Sequence, residues 1–446
     1  MSDLILDEAG QKGGGKEVNS NLTNWETRRL KFVVTCNDET LSEATDPEFE
    51  MEYVDISSVN LFDGVAATEA MTFDKAPSRA RRVVHDGDTI VSTVRTYLKA
   101  IAPIQSPPAN MVVSTGFAVI RPRDEIDASF LGYALQNTAF IESVVANSTG
   151  VSYPAINPSL LVNLPIAYPK AHAAQKQIAA FLDWKTSQID ALIAKKRELL
   201  QKLKEKRLAV ITQAVTKGLN PDAPMRDSGI PWLGVVPAHW KLPALALRYK
   251  VELGKMLDEK QITKQHLTPY LRNIDVQWGK INLEDLPEMD IAPQEYGRYS
   301  IEEGDVLVCE GGEVGRAAIV SAQTSVIGFQ KALHRLRATT AEESPDFIFY
   351  TMLWAANTGV FNEEGNSTIA HLTAEKLRRY RFPQPPLPEQ VAIVGLLDMA
   401  TRRIQRLLDK AETAIVHLTE YRSALITAAT TGKIDLRDWQ PLESSL

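Results

Sequence analysis

The chain repeats itself at a spacing of about 215 residues, and nothing else in its 446 residues constrains the fold as strongly. Gln175, Ile178, Leu182, Asp183, Ile189, Arg207 and Ile211 return as Gln390, Ile393, Leu397, Asp398, Ile404, Arg422 and Ile426, and Trp25 returns as Trp240. Each copy is a head of about 140 residues followed by a segment of about 45 with helical periodicity. Two similar heads on two similar rods suit a target that itself has two parts.

The rods are the plainest elements. Apolar side chains at 178, 182, 189, 192, 193, 200, 203 and 211 fall on one helical stripe, and Lys195, Lys196, Arg197, Lys202, Lys204 and Lys206 occupy the remainder. Gly218 and Gly432 stand where each helix should stop. At about 1.5 Å per residue each rod is roughly 65 Å long. A lone amphipathic rod leaves its stripe wet, so the two should pair, with Leu182, Ile189, Leu192 and Leu203 facing Leu397, Ile404, Leu407 and Leu418. Either direction is reachable by chain length. The antiparallel arrangement is expected, and it places the heads at opposite ends about an approximate two-fold axis.

Short segments rich in Val, Ile, Thr and Phe, punctuated by Gly and Pro, fill the heads. Arg82-Val-Val-His-Asp-Gly-Asp-Thr-Ile-Val91 matches Tyr299-Ser-Ile-Glu-Glu-Gly-Asp-Val-Leu-Val308, and both read as strand, acidic-Gly-Asp turn, strand. A helix follows in each, around Phe130 to Asn147 and Phe347 to Val360. The fold class is therefore α+β: two tandem mixed α/β heads separated by two long helices in an antiparallel coiled coil, with a pseudo-two-fold internal repeat. The expected boundaries are a flexible tail 1–20, first head 21–170, first helix 171–218, second head 219–385, second helix 386–433 and C-terminal tail 434–446.

Composition narrows the class. A chain with 44% hydrophobic and 24% charged residues is globular. Cys36 and Cys309 are its only cysteines, so neither a disulfide framework nor a cysteine-based zinc site is available, and a reducing cytoplasm is the expected location. No apolar run approaches the roughly 18 residues of a membrane span. The net charge of −7 argues against a simple free-standing nucleic-acid binder, but the charge is segregated. Residues 176–217 carry about +6, whereas the first head carries about −7.

Catalytic patterns are missing. There is no D-P-P-Y or N-P-P-Y, no H-E-x-x-H and no G-x-S-x-G. Gly10 to Lys16 nearly spells a phosphate-cradling loop, but Glu17 stands where Ser or Thr should hold magnesium. Gly311 to Gly315 reads as a tight turn, and the histidines lack metal spacing. No metal site or cofactor is expected in this chain. It has the character of a reader.

Reading DNA needs cations for phosphates and forked or hydroxyl side chains for base edges. The first head offers Arg79, Arg81 and Arg82 before its Gly-Asp turn, Arg95, Tyr97 and Lys99 after the next strand, and Ser148, Thr149 and Tyr153 in its last loop. The second offers Arg298 and Tyr299 before its turn, then Arg316, Lys331, His334 and Arg335, with Ser367, Thr368 and His371 in its last loop. Taken singly, each is as readily a solvated cation or turn hydroxyl. The recurrence of the clusters at equivalent places favours DNA.

Gln177-Ile-Ala-Ala-Phe-Leu-Asp183 with Ile189-Asp-Ala-Leu-Ile193, Leu203-Lys-Glu-Lys-Arg207, Asp227-Ser-Gly-Ile-Pro-Trp-Leu-Gly234 with Val236-Pro-Ala-His-Trp240, and Pro386-Leu-Pro-Glu-Gln390 stand together in one chain. In this the sequence resembles the specificity subunits of Type I restriction-modification enzymes, from Trp25 to about Trp439. The first copy departs slightly, with Ala173-Ala174 where the second has Pro388-Glu389. The resemblance implies that each head is a target recognition domain reading one half of a bipartite, asymmetric double-stranded DNA sequence. It implies that the helices set the gap and dock two modification subunits carrying S-adenosylmethionine, and that restriction subunits using ATP and magnesium join them. The specificity subunit itself is non-catalytic. The competing reading is a two-headed scaffold that grips proteins rather than DNA.

Overall fold

β-Branched and aromatic runs form the strands of both heads, and the two heads use them in the same order. The computed structural model describes residues 25–257, 264–321, 325–362 and 371–440. In the first head Val34–Cys36, Phe117–Pro122, Thr89–Ser92 and Ile101–Pro103 lie side by side in that order as an antiparallel sheet. Tyr249–Leu253, Leu333–Ala338, Val306–Cys309 and Ala317–Ile319 repeat the arrangement in the second. Thr89–Ser92 and Val306–Cys309 are buried along their whole length, Ile90 and Val91 in the first and Val306, Leu307 and Val308 in the second supplying the apolar surface. A second sheet in each head contains a parallel pair, Met111–Ser114 with Glu50–Val54 and Gly328–Phe329 with Leu267–Leu271.

The acidic-Gly-Asp turns are structural. Gly87 and Gly304 both sit at φ 85°, a conformation open to glycine at little steric cost. The aspartate that follows is buried and takes a forked arginine from the neighbouring strand. Arg121 Nε and Nη2 donate to Asp88 at 2.9 and 3.0 Å, and Arg337 does the same to Asp305 at 2.8 and 2.7 Å. Two parallel N–H···O bonds to one carboxylate satisfy a charge that could not otherwise be buried.

Two long helices, His172–Lys217 and Leu387–Thr430, connect the parts. The chain forms two compact units: one runs up to Arg197 and resumes at Thr413, and the other is Glu198–Glu412. Each long helix therefore passes from one unit into the other. Within the first unit Arg422 donates to Asp190 at 2.9 Å, and Ile189 and Ile193 share a core with Leu425, Ile426 and Ala429. Within the second, Arg207 reaches Gln405, Leu203 packs with Ile404 and Leu408, and Ile211 and Val215 share a core with Ile393 and Leu397. Residue numbers rise on one helix as they fall on the other, so the pair is antiparallel.

The seam differs in detail from the expected one. Leu182, Ile189, Leu203, Leu397 and Ile404 are buried, and Leu418 packs partly buried against the first core. Leu192 and Leu407 are 48% and 44% exposed; Ile193 and Leu408 take the seam instead. The reason is geometric. From Ile189 and Ile404 the step of four residues stays closer to the contact line than the step of three, which falls on its flank.

Each head is fastened to its own helix by a duplicated set of hydrogen bonds. Gln175 has no exposed surface; its carbonyl accepts from Asp127 N at 2.6 Å and its amide donates to the carbonyls of Glu125 and Pro169. Gln390 repeats this with Ser344 N at 2.9 Å and the carbonyls of Glu342 and Pro385. Asp127 and Ser344 are the N-caps of the head helices Ala128–Gln136 and Pro345–Asn357. Lower down, Tyr133 donates to Asp183 at 2.8 Å and Tyr350 to Asp398 at 2.7 Å. Burial pushes both phenols up, that of Tyr350 to about 12, so each keeps its proton and remains a donor at neutral pH.

Glycine ends both long helices, Gly218 at φ 74° and Gly432 at φ 72°. A Cβ at Gly218 would lie 3.0 Å from Trp240, and one at Gly432 would lie 2.9 Å from Trp25. The end of the second long helix thus packs against the first strand of the first head. Beyond it, Gln177 donates to the carbonyls of Arg437 and Trp439, and Trp439 meets Phe181 edge-on and Trp184 at a tilt.

Candidate nucleic-acid interface

In the first unit the buried strand Thr89–Ser92 delivers the chain to an exposed loop. Arg95 and Lys99 both adopt the left-handed conformation, φ 50° and 54°, on either side of the single turn Thr96–Leu98. Holding two non-glycine residues there costs about 1 kcal/mol each or more, and it needs surrounding support. Support comes from the loop that follows the head helices. Thr96 Oγ1 and Ser148 Oγ share a hydrogen bond of 2.8 Å, Ser148 donates onward to the Val144 carbonyl, and Ile156 N donates to Thr93 O at 2.8 Å. The guanidinium of Arg95 lies 4.8 Å from the centre of the Tyr153 ring. The two loops together expose Arg95, Tyr97, Leu98, Lys99, Thr149, Val151 and Tyr153. Ser148 itself is half-buried and acts as a strut.

The equivalent loops of the second unit carry different chemistry. Strand Val306–Cys309 leads into a glycine-rich turn in which Gly312 and Gly315 have φ 76° and 84°. Glu313 is half-exposed and accepts from Trp278 Nε1 at 2.5 Å. His371 is exposed and lies against Gly311, and Leu372 N donates to Glu310 O. Ser367 and Thr368 lie outside the described residues.

Several expected contact residues are internal. Arg335 has no exposed surface; it pairs with Glu252 at 2.6 Å and donates to the carbonyls of Ser300 and Gly297. His334 is equally enclosed, donating from Nε2 to Leu372 O, and burial holds its pKa below the usual histidine value. Neither can reach a DNA groove from this position. Arg316, 13% exposed, holds Asn273 through its carbonyl and side-chain oxygens at 2.9 and 2.8 Å. Arg81 stacks on Phe73, Arg82 donates to Thr40, and Arg79 pairs with Asp55 at 2.7 Å while remaining 57% exposed. These three lie on or beside Ala80–Val83 in the other sheet, apart from the Arg95 loop. Arg298 is exposed over Tyr299, and Lys331 is exposed with its backbone N bonded to Lys255 O.

Sequence reasoning passed over Lys255. It pairs with Glu295 at 2.6 Å, and that bond holds the Glu295 carboxyl below its ordinary range. Nothing in its sequence neighbourhood distinguishes it; only the pairing of Lys255 with Gln330 brings it beside Lys331. Among the described residues no group of three or more His, Cys, Asp or Glu could hold a metal, and no helix is long and apolar enough to cross a membrane.

Residues 23–205 and 250–413 match the family described as the Type I restriction modification DNA specificity domain, once for each half of the chain. The chain belongs to this family. Among curated proteins, the specificity subunit of the Type I restriction enzyme EcoKI from Escherichia coli K12 is 23% identical over 332 residues, 71% of this chain and 68% of that protein. The StySPI specificity subunit of Salmonella potsdam is 24% identical over 337 residues, 71% and 67% of the two chains. A chain solved in work on complex assembly and conformational transition of a type I restriction-modification system superposes with a TM-score of 0.73 at 22% identity, covering 92% of this chain and 99% of that one. The HsdS subunit of Thermoanaerobacter tengcongensis gives 0.52 at 22% identity, covering 92% and 98%. Each specificity domain thus comprises most of one head and much of one long helix, and the exposed loops described above lie within the matched segments.

Proposed function

We propose that this chain is the DNA-reading subunit of a Type I restriction-modification assembly. It binds double-stranded DNA, each head reads one half of a split, asymmetric target, and the paired helices set the gap. One observation carries this reading: the four-stranded antiparallel sheet and the parallel pair recur in both heads, whereas the loops mounted at the same place expose Arg95, Tyr97, Lys99 and Tyr153 in one and Glu313 and His371 in the other. Guanidinium and ammonium groups donate to guanine acceptors, and a carboxylate accepts from exocyclic amines. Equal supports with unequal readers suit two different half-sites.

The chain supplies no chemistry to the bases. Two modification subunits bring S-adenosylmethionine, and restriction subunits bring ATP and magnesium. The long helices are their docking surface, and the cytoplasm is where the complex works. The test is a methylation map from cells carrying the chain with its modification subunits. Two fixed half-sites at a fixed gap are expected, and exchanging loops 93–99 and 147–156 for those of another family member should change one half only. A single contiguous target would refute the reading. Assembly without salt-sensitive DNA binding would point instead to a protein scaffold.

A further inference from the structure

A cleft of about 550 Å³ in the first unit is walled by Thr27, Arg28, Arg29 and Phe32. One of about 220 Å³ in the second is walled by Ile230, Trp232, Lys376, Arg379, Tyr380 and Arg381. Both lie at the same corner of the repeated frame. In the first unit the turn Leu30–Phe32 is held by Leu30 N to Leu164 O and Lys31 N to Val162 O; in the second the equivalent turn Leu245–Leu247 is held by Leu245 N to Tyr380 O. A short helix runs from the reading loop to that corner in each, Pro158–Leu161 and Ala374–Arg379.

The cations come from opposite sides of the corner. The first unit places Arg28, Arg29 and Lys31 on the strand and turn, while the second places Lys376, Arg379 and Arg381 on and just after the helix. Position and charge are shared although the residues are unrelated, in a chain whose net charge is −7. Arg28 has Glu26 beside it, 46% and 27% exposed, and Arg379 has Glu375, 78% and 74% exposed; pairs in contact with solvent are weak in water, so a denser anion can displace them. Arg29 and Arg381 are exposed outright. Aromatic side chains complete the walls, Phe32 in the first cleft at 54% exposure and Trp232 with Tyr380 in the second.

We infer that the two corners are phosphate clamps that grip the DNA backbone irrespective of sequence, close to the bases each head reads. The inference rests on the DNA-reading function proposed above. Helices of four and six residues span about 6 and 9 Å. Successive phosphates of one strand rise about 3.4 Å along the DNA axis, so helices of this length hold each clamp within roughly two or three base pairs of its reading loop along that axis. DNA fits better than an acidic protein because the two corners share charge but not the side chains that carry it: a regular polyanion asks for cations in one place, whereas a folded partner asks for particular residues.

The test uses the complex with modification subunits and measures affinity between 50 and 200 mM salt for one duplex containing the mapped target and one lacking it. Arg28→Gln with Arg29→Gln, and separately Arg379→Gln with Arg381→Gln, should weaken both duplexes in parallel by roughly tenfold. Each should flatten the slope of log affinity against log salt by about 1.8, the loss of two phosphate contacts, with the methylated sequence unchanged. Thermal melting checks that these exposed substitutions leave the fold intact. Weakening confined to the target duplex, a changed methylation sequence, or an unchanged slope would each overturn the clamps. If the parent complex itself binds neither duplex in a salt-dependent way, the DNA-reading function fails, and the clamps fail with it.

Discussion

Where the second head buries Arg248 against Glu343, the first buries Val33 near Ile126. The positions are equivalent: Val33 and Arg248 close the same single turn, and Ile126 and Glu343 each precede the N-cap of the head helix. Glu343 is fully enclosed and receives Arg248 Nε and Nη2 at 2.8 and 2.6 Å, Tyr249 Oη at 2.9 Å and Gln384 Nε2 at 2.6 Å. In the first head Val33, Val34 and Ile126 belong to one apolar cluster. Two unlike interiors support one frame, so what duplication kept is geometry, enforced by Gln175 and Gln390 and by the paired helices. The chemistry of the core was free to change wherever all its polar groups remained satisfied.

That contrast can be broken experimentally, and the largest effect belongs to the ion pair. Glu343→Ala strands the Arg248 guanidinium and should cost the second head about 3–5 kcal/mol, whereas Arg248→Met with Glu343→Leu should recover more than half of the loss. Because the chain has two units, hydrogen exchange resolved by head is the appropriate measurement. A cost under about 1 kcal/mol would show that the pair does not organise this core.

The paired helices should respond alike in both units. Leu182 and Leu397 are both fully enclosed at equivalent positions, so Leu182→Ala and Leu397→Ala should each cost about 2–5 kcal/mol. Very unequal losses in denaturant titrations would mean that the two halves of the seam are not equivalent supports.

Acid should separate the heads more gently. His334 is enclosed and neutral with its pKa lowered by burial, and Ala118 holds its place in the first head. Below the unfolded histidine value of about 6.5 the unfolded state takes up a proton that the folded state refuses. Stability of the second head therefore falls as pH drops from about 6.5 toward the folded value and then levels off. His334→Ala should abolish that dependence in a pH series of melting curves.

The smallest effect is expected at the exposed leucines. Leu192→Ser and Leu407→Ser should change stability by no more than about 0.5 kcal/mol. If they also impair assembly with modification subunits, these equivalent side chains belong to the docking face.

Periodicity made the rods, their caps and their pairing readable in the sequence, because a helix of this length repeats its signal many times. It could not separate Leu192 from Ile193 or Leu407 from Leu408, since neighbours on one stripe differ only by a small rotation. Nor could it sort the cations. Arg335 and Arg298 look alike in sequence; Glu252 and the Ser300 carbonyl internalise the first, and nothing local announces them. Ser148 and Thr149 are indistinguishable neighbours in sequence, yet one braces Thr96 and the other faces outward. Arg28 with Arg29 and Arg379 with Arg381 stand on different elements of the two heads, so matching the copies residue by residue does not bring them together.

The completion of the first unit by the end of the chain also sets a timetable for synthesis. Residues 198–412 are continuous, so the second head can close as soon as it leaves the ribosome, whereas the first head waits for Arg422, Gly432 and Trp439. At 5–20 residues per second that wait is on the order of 10 to 40 s. The half of the protein made first is the half finished last, and the helix face around Ile189 and Ile193 stays uncovered until Leu425, Ile426 and Ala429 are made.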